Sequence, residues 1–250
     1  MSKPQIIVFA SGTKNNDLNK QGGSGFENLV VASRLRQGFD GQGRTGALDA
    51  DIVAVVSNHE HGSVRERADR LGVPFIHFNP HNYLLIRANK QVVGSGDSQV
   101  YKDILHKSGA EWIALSGWYK QVKGLDPRRT FNIHPALLSF DGGRFGGLGM
   151  YRQHIHEAVK VALGAGEITE SGFTMHFVTD EYDRGPAFFE YRVPLRPGMS
   201  ALEIEKAVNM AEHEWQPKIT NMVVHGEIRW DGKNPKSLVV PNGYKHLPKH

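Results

Sequence analysis

The chain is expected to be an α/β protein: a Rossmann-like, mainly parallel sheet with helices on both faces, extended by an antiparallel strand pair in the C-terminal half. Three observations predict this. Short apolar runs alternate with helical patterns through the first half, as right-handed βαβ units require. Past residue 150 the alternation gives way to a helix, two successive strand-like runs and one long helix, which suits an antiparallel extension of a mixed sheet. Segments dense in glycine, asparagine and aspartate fall between these elements, where loops belong.

The strand-like runs of the first half are Ile6 to Ala10, Ile52 to Ser57, Pro74 to Phe78, Trp112 to Ser116 and Thr130 to His134. Helical patterns fall between them at Phe26 to Gln37, Val64 to Leu71 and Ser98 to Lys107. In the second half a helix is expected over Arg152 to Leu163, strands over Gly172 to Thr179 and Ala187 to Val193, and a long helix from about Ser200 to Val224. The turn Asp183-Arg-Gly-Pro186 joins the two late strands. Loops are expected at Gly38 to Asp49, Asn79 to Asp97 and Ser139 to Gly149, with a polar insertion at Lys14 to Gln21. From about residue 231 the tail, with Pro235, Pro241 and Pro248, should be irregular. A chain of 250 residues can bury a full core, and a single domain over 1–250 is the expectation.

Composition removes several classes of function. The net charge of +4 comes from 30 Lys and Arg interleaved with 26 Asp and Glu, without a basic run longer than a pair such as Arg128-Arg129. That balance favours the approach of a phosphate ligand but does not point to nucleic acid. There is no cysteine, which excludes disulfides, thiolate zinc sites and a cysteine nucleophile. No apolar leader precedes Gln5 and no stretch reaches membrane-spanning length, so a cytoplasmic protein that makes no membrane contact is expected.

Ligands of open α/β sheets bind beyond the carboxyl ends of the strands. Three segments of interest leave strands there. The first is Ser11-Gly-Thr with Gly22-Gly23-Ser24-Gly25 leading into the helix at Phe26; bare amides at a helix N-terminus suit an anion, and the plain alternative is a flexible connection. The spacing is neither GxGxxG nor GxxxxGK[ST], which argues against a dinucleotide or a P-loop nucleotide. The second is Asn132-Ile-His134-Pro135, where two side chains two apart on a strand point to one face. The third is His176-Phe-Val-Thr-Asp180-Glu-Tyr-Asp183, about forty residues on, which offers a carboxylate. A neutral donor, an imidazole and a carboxylate suit acyl chemistry, in which charge develops on a carbonyl oxygen and a proton must leave the attacking group. Taken singly, each segment also reads as strand punctuation or a solvated turn. His59-Glu-His61 and His154-Ile-His156 invite a metal reading; the second pair diverges on a helix and no third ligand is evident, so no metal is expected.

Together, Asn132-Ile-His-Pro-x-Leu-Leu and His176-Phe-Val-Thr-Asp-Glu-x-Asp-x-Gly-Pro, in this order and separation, resemble the folate-dependent formyltransferases. They are most similar to the glycinamide ribonucleotide transformylase family. The resemblance extends over Ile6 to Gly12, Gly23 to Val31, Val55 to Ser57, Leu115 to Val122, Leu148 to Gln153 and Ala211 to Pro217. It implies that 10-formyltetrahydrofolate donates a formyl group to the primary amine of glycinamide ribonucleotide in purine biosynthesis. Asn132, His134 and Asp183 match the family's catalytic triad, and His176 a neighbouring supporting histidine. Gly23, Ser24 and Gly25 fall on its phosphate-binding loop, and Glu212 on a glutamate that contacts the substrate ribose. Lys120, Gln121, Val122, Thr179, Asp180 and Glu181 fall on its folate pocket, with Lys120 in place of the usual arginine. The glycine-rich loop after Leu138 departs from the family pattern.

The implied partners are these two small molecules, with no nucleic acid and no membrane; a homodimer is compatible. The expected mechanism has Asn132 donating to the developing oxyanion and His134, kept cationic or strongly polarised by Asp183, managing the proton that leaves the amine. Alternatives are an amino sugar nucleotide as acceptor, or a non-catalytic module that binds folate or a phosphorylated metabolite.

Overall fold

The computed structural model describes residues 2–14, 22–35, 47–79, 96–151 and 153–249. The expected loops at 38–49 and 79–97 and the insertion at 14–21 lie largely outside the described residues, as do residues 36–37 and Arg152. The chain forms two compact units, Met1–Thr130 and Phe131–His250.

The first unit runs β1 (Gln5–Phe9), α1 (Ser24–Arg34), β2 (Asp51–Ser57), α2 (Ser63–Leu71), β3 (Phe75–His77), α3 (Gly96–Ser108) and β4 (Trp112–Ser116). Its strands lie in the order β3-β2-β1-β4 and pair in parallel. Strands of such a sheet are covered on both faces, which explains why β1 reads as an unbroken apolar run, with Ile6 to Phe9 fully buried. Tyr101 of α3 packs edge-on against Phe78 and tilted against Phe9, and its hydroxyl donates to the Gln121 carbonyl at 3.1 Å. That bond fixes the segment after β4 at Gln121. α2 ends where Gly72 takes a left-handed conformation, φ 62°, and donates back to Asp69.

The second unit holds β5 (Thr130–His134), which begins on the last residue of the first unit, then a 3-10 turn (Phe140–Gly143), α4 (Gln153–Gly164), β6 (Glu170–Phe177), β7 (Ala187–Pro194) and α5 (Ala201–Val224). Here β5-β6-β7 pair antiparallel. The fold class is therefore α/β and Rossmann-like, with parallel strands in the first unit, antiparallel ones in the second and helices with both. The β5–β6 register sets Asn132 opposite His176 and His134 opposite Thr174. A shift in the β6–β7 ladder after Met175 frees the end of β6 to run into the turn that carries Asp183. α5 starts with a capping box, Ser200 and Glu203 each bonding the other's backbone, and carries the buried Pro217 within it.

Most differences from expectation are shifts of one or two residues at element ends. The loop after Leu138 holds a short turn with Asp141 and Gly142 at positive φ, 44° and 62°. The tail is irregular apart from a bridge between Arg229 and Val239 and a 3-10 turn at Pro235–Ser237. Farther on, the Glu190 N–H donates to the His246 carbonyl at 2.7 Å, and the His246 ring lies 4.8 Å from that of Trp215. Among the described residues no helix is long and apolar enough to cross a membrane.

Candidate active site

β5 places Asn132 and His134 on one face because they stand two apart on an extended strand. β6 brings His176 alongside Asn132, and the β6–β7 connection returns Asp183 to both. Asp183 sits at φ 53°, a left-handed conformation that aspartate tolerates better than most residues. The result is a four-residue cluster. Asp183 Oδ2 lies 3.5 Å from His134 Nδ1, and Oδ1 lies 3.4 Å from His176 Nε2. The Asn132 amide lies 3.3 Å from Asp183 Oδ1 and 3.2 Å from His176 Nε2.

Backbone carbonyls fix the tautomers, because a carbonyl oxygen only accepts. His134 Nε2–H donates to the Phe145 carbonyl at 2.6 Å, and His176 Nδ1–H donates to the Phe177 carbonyl at 2.8 Å. A neutral His134 therefore keeps an unprotonated Nδ1 facing Asp183. His176 Nε2 faces both the Asn132 amide and Asp183 Oδ1, and the Asn132 amide also donates to Asp183.

The electrostatics follow from burial and from these contacts. His134 is 4% exposed and His176 2%. Burial lowers the His134 pKa below its ordinary value, with the charge of Asp183 and the Phe145 hydrogen bond opposing and the neighbouring His176 adding to the fall. Burial thus works against the cationic form of His134, while Asp183 favours it and polarises the ring. For Asp183, burial alone would raise the pKa. Hydrogen bonding to His176, the charges of His134 and His176 and a 2.9 Å bond from the Gly147 N–H outweigh it and hold the carboxyl well below the usual carboxylate range. Neutral imidazole beside a firmly ionised carboxylate is a proton acceptor whose charged form is stabilised in advance.

The other residues singled out from the sequence are placed as follows. Gly23 opens α1 at φ 87° and carries no side-chain cap; a Cβ there would lie 2.8 Å from Val64. Beside it, Glu27 in the first turn of α1 is paired with both Arg67 and Arg70. Lys120 extends over the Tyr119 ring at 4.9 Å, and Val122 is buried. Thr179 donates to the Glu181 carbonyl at 3.3 Å, and Asp180 and Glu181 are exposed. Glu212, on α5, keeps only part of its side chain in solvent and accepts from Asn209 at 3.3 Å. Burial, opposed by that bond and assisted by the charge of Glu205, raises its pKa to about 7.

Some neighbours of the cluster carried no sequence signal that pointed to it. The Phe145 carbonyl and the Gly147 amide are backbone groups, which every residue type supplies. His156 was legible only as half of a metal-like pair. In the structure His154 is exposed while His156 is 4% exposed, with Nδ1 buried and unpartnered. Burial, with the charge of His134 adding, lowers its pKa to about 4. No group of three His, Cys, Asp or Glu able to hold a metal occurs among the described residues.

Comparison with known proteins bears on the family and the fold. The model of the formyl transferase family matches residues 32–220. The chloroplastic phosphoribosylglycinamide formyltransferase of Arabidopsis thaliana is 28% identical over 240 residues, covering 92% of this chain and 74% of that protein. Its Vigna unguiculata counterpart is 28% identical over 232 residues, and there the chain spans 63% of the relative's length. In fold, the chain is similar to the crystal structure of glycinamide ribonucleotide transformylase 1 from Symbiobacterium toebii, with a TM-score of 0.70 and 24% identity over 96% of this chain and 95% of that one. With the family model spanning most of both units, the chain belongs to the formyl transferase family.

Proposed function

We propose that this chain is a phosphoribosylglycinamide formyltransferase, which transfers a formyl group from 10-formyltetrahydrofolate to the primary amine of glycinamide ribonucleotide in purine biosynthesis. The observation that carries the reading is the meeting of Asn132, His134 and Asp183 within one hydrogen-bonded cluster. The names of the relatives in Arabidopsis and Vigna support the choice of acceptor.

The formyl-folate supplies the electrophilic carbonyl. Asn132 donates to the oxygen on which charge develops as the amine attacks; to do so it exchanges one of its two partners, His176 or Asp183, for the substrate. One such donor contributes roughly 2.7–4 kcal/mol, or about 10²–10³ in rate. His134 takes the amine proton on Nδ1, directly or through one water, while Nε2 stays on the Phe145 carbonyl. The ring becomes cationic at that point, and Asp183 stabilises it. Collapse of the tetrahedral intermediate then breaks the bond from the formyl carbon to the folate N10. The proton held by His134 passes to that nitrogen, directly or through one water, and tetrahydrofolate and the formylated amine leave with His134 neutral. Holding both substrates in attack geometry supplies much of the remaining acceleration.

On the acceptor side, Gly23, Ser24 and Gly25 bind the phosphate through the amides at the start of α1. Glu212 binds the ribose; near pH 7 its carboxyl both donates to and accepts from hydroxyls. Lys120, Gln121, Val122, Thr179, Asp180 and Glu181 bind the folate, with the buried Val122 suited to an apolar ring edge and the half-buried Thr179 and exposed Asp180 and Glu181 to its polar one. We read residues 1–250 as one formyltransferase domain, as the family match across both units supports, working in the cytoplasm, alone or as a homodimer.

The test is direct. The protein is mixed with glycinamide ribonucleotide and 10-formyltetrahydrofolate, and tetrahydrofolate release is followed beside a water-only control and an amino sugar nucleotide. Release that requires glycinamide ribonucleotide is expected. Release with the amino sugar nucleotide alone, or binding without turnover, replaces this reading.

A further inference from the structure

The glycine-rich loop after β5 does more than connect. It delivers the Phe145 carbonyl to His134 Nε2 and the Gly147 N–H to Asp183 Oδ2, so two backbone groups of one loop touch two of the three titratable members of the cluster. The loop is gripped at several points. The Leu138 N–H donates to Thr174 Oγ1 at 3.0 Å, and Ser139 donates to Glu190 from its N–H at 3.2 Å and its hydroxyl at 2.7 Å. Across the middle, Arg184 Nη1 donates to the Gly142 carbonyl at 2.9 Å. The Phe140 and Phe145 rings stack at 5.4 Å, and Arg144 is paired with Glu167.

Glu190 is the unusual member. It is a carboxylate at 6% exposure on β7, reached by Ser139, Thr174 and Arg192, and it takes no part in the chemistry proposed above. A buried carboxylate is kept only where its oxygens are satisfied, and here the first residue of the loop supplies two of the bonds. Arg184, the residue after Asp183, reaches across to the same loop from the exposed side. The loop is thus held by β6 through Thr174, by β7 through Glu190 and by the turn between them through Arg184.

We propose that this loop is a positioning element, with Glu190 and Arg184 as its positioning residues: their grip holds the Phe145 carbonyl and the Gly147 amide so that His134 keeps its Nε2–H tautomer and turns an open Nδ1 toward Asp183. The inference rests on the roles proposed for His134 and Asp183, and it assigns the loop a purpose that its sequence does not reveal. Without the carbonyl, the proton would move to Nδ1, where Asp183 is the better acceptor, and the ring would lose the lone pair that takes up the amine proton.

The experiment reads the tautomer in the free protein by 15N imidazole resonances, beside kcat and KM. The full chain should show His134 as the Nε2–H form. Arg184→Met and Glu190→Leu should show a mixture of tautomers and a kcat lower by about tenfold to 10²-fold, with KM for both substrates within about twofold. Glu190→Gln, which keeps an acceptor for Ser139, should restore most of the tautomer signal. Arg184 is exposed, so its variant is expected to fold even where Glu190→Leu does not. An unchanged Nε2–H signal in folded Arg184→Met overturns the proposal. Absence of formyl transfer by the unaltered protein sinks the functional reading instead, and the two failures are separately visible because the tautomer is read without substrate.

Discussion

Two glycine-rich segments, one in each unit, use glycine in different ways. At the start of α1, Gly23 allows the backbone to pass close to Val64 and leaves a helix N-terminus without a side-chain cap. In the loop after β5, Gly142, Gly143 and Gly147 at φ 62°, 84° and 93° turn the chain so that backbone groups reach His134 and Asp183. On the proposed function the first segment meets an anion, whereas the second already bonds the cluster through the Phe145 carbonyl and the Gly147 amide. Glycine content alone therefore does not distinguish a ligand cradle from a brace. What marks the second as a brace is that its backbone groups bond His134 and Asp183.

This contrast predicts different kinetic signatures. The largest effect is expected at the cluster: Asn132→Ala should lower kcat by about 10²–10³ and Asp183→Asn by at least that much, with circular dichroism and melting close to those of the parent. Near-normal turnover in either purified variant removes that residue from the scheme. In the first segment, Gly23→Ala forces a positive φ on a residue with a Cβ beside Val64, so KM for the amine substrate should rise about tenfold while kcat holds, at a stability cost of roughly 1–2 kcal/mol. A fall in kcat with KM unchanged would show that the two segments do not differ in the way described.

A smaller, pH-dependent effect follows from two groups whose pKa values burial moves in opposite directions. His156 is pushed down to about 4, so its charged form is disfavoured in the folded protein. At neutral pH it costs nothing; as pH falls from about 6.5 to about 4 the unfolded chain binds the proton first, and stability should decline by on the order of 3 kcal/mol. His156→Leu should flatten that decline in denaturant titrations. Glu212, raised to about 7, works the other way: the folded state binds its proton more tightly, so stability falls as pH rises from about 4.5 to about 7. Glu212→Gln should gain on the order of 1–3 kcal/mol at pH 8, nothing at pH 4, and weaken binding of the amine substrate. Equal stabilities at the two pH values would remove the burial argument for Glu212.

The legible part of the site was the part written in side chains. Asn132 and His134 could be paired from the sequence because the two-residue period of a strand fixes which side chains share a face, and β5 has that register. Asp183 was placed by its motif, since nothing in local propensity says that a turn will bend it back at φ 53° to meet two histidines. The tautomer of His134 was not legible, because it depends on a backbone carbonyl eleven residues on. Neither was the direction in which its pKa moves, which burial sets against the pull of Asp183. Glu190 did leave a trace: a carboxylate directly after Phe188 and Phe189 in a strand must have a buried partner or face solvent, and only the structure shows that the partner is Ser139. For the fold, the alternation of short apolar runs sufficed for the parallel strands of the first unit, whereas the ends of β6 depend on its ladder with β7, a tertiary property.

The contact between residue 190 and the tail has a consequence for solubility. β7 stands last in the order β5-β6-β7, and an outermost strand invites pairing with a second molecule. The His246 carbonyl takes up the Glu190 N–H there, and the His246 ring covers Phe189 and Trp215. Residues 241–249 thus act as a seal on an otherwise adhesive rim. Trimming them would show first as aggregation in concentrated samples, before any change in chemistry, and a fusion joined directly after Pro241 would carry the same liability.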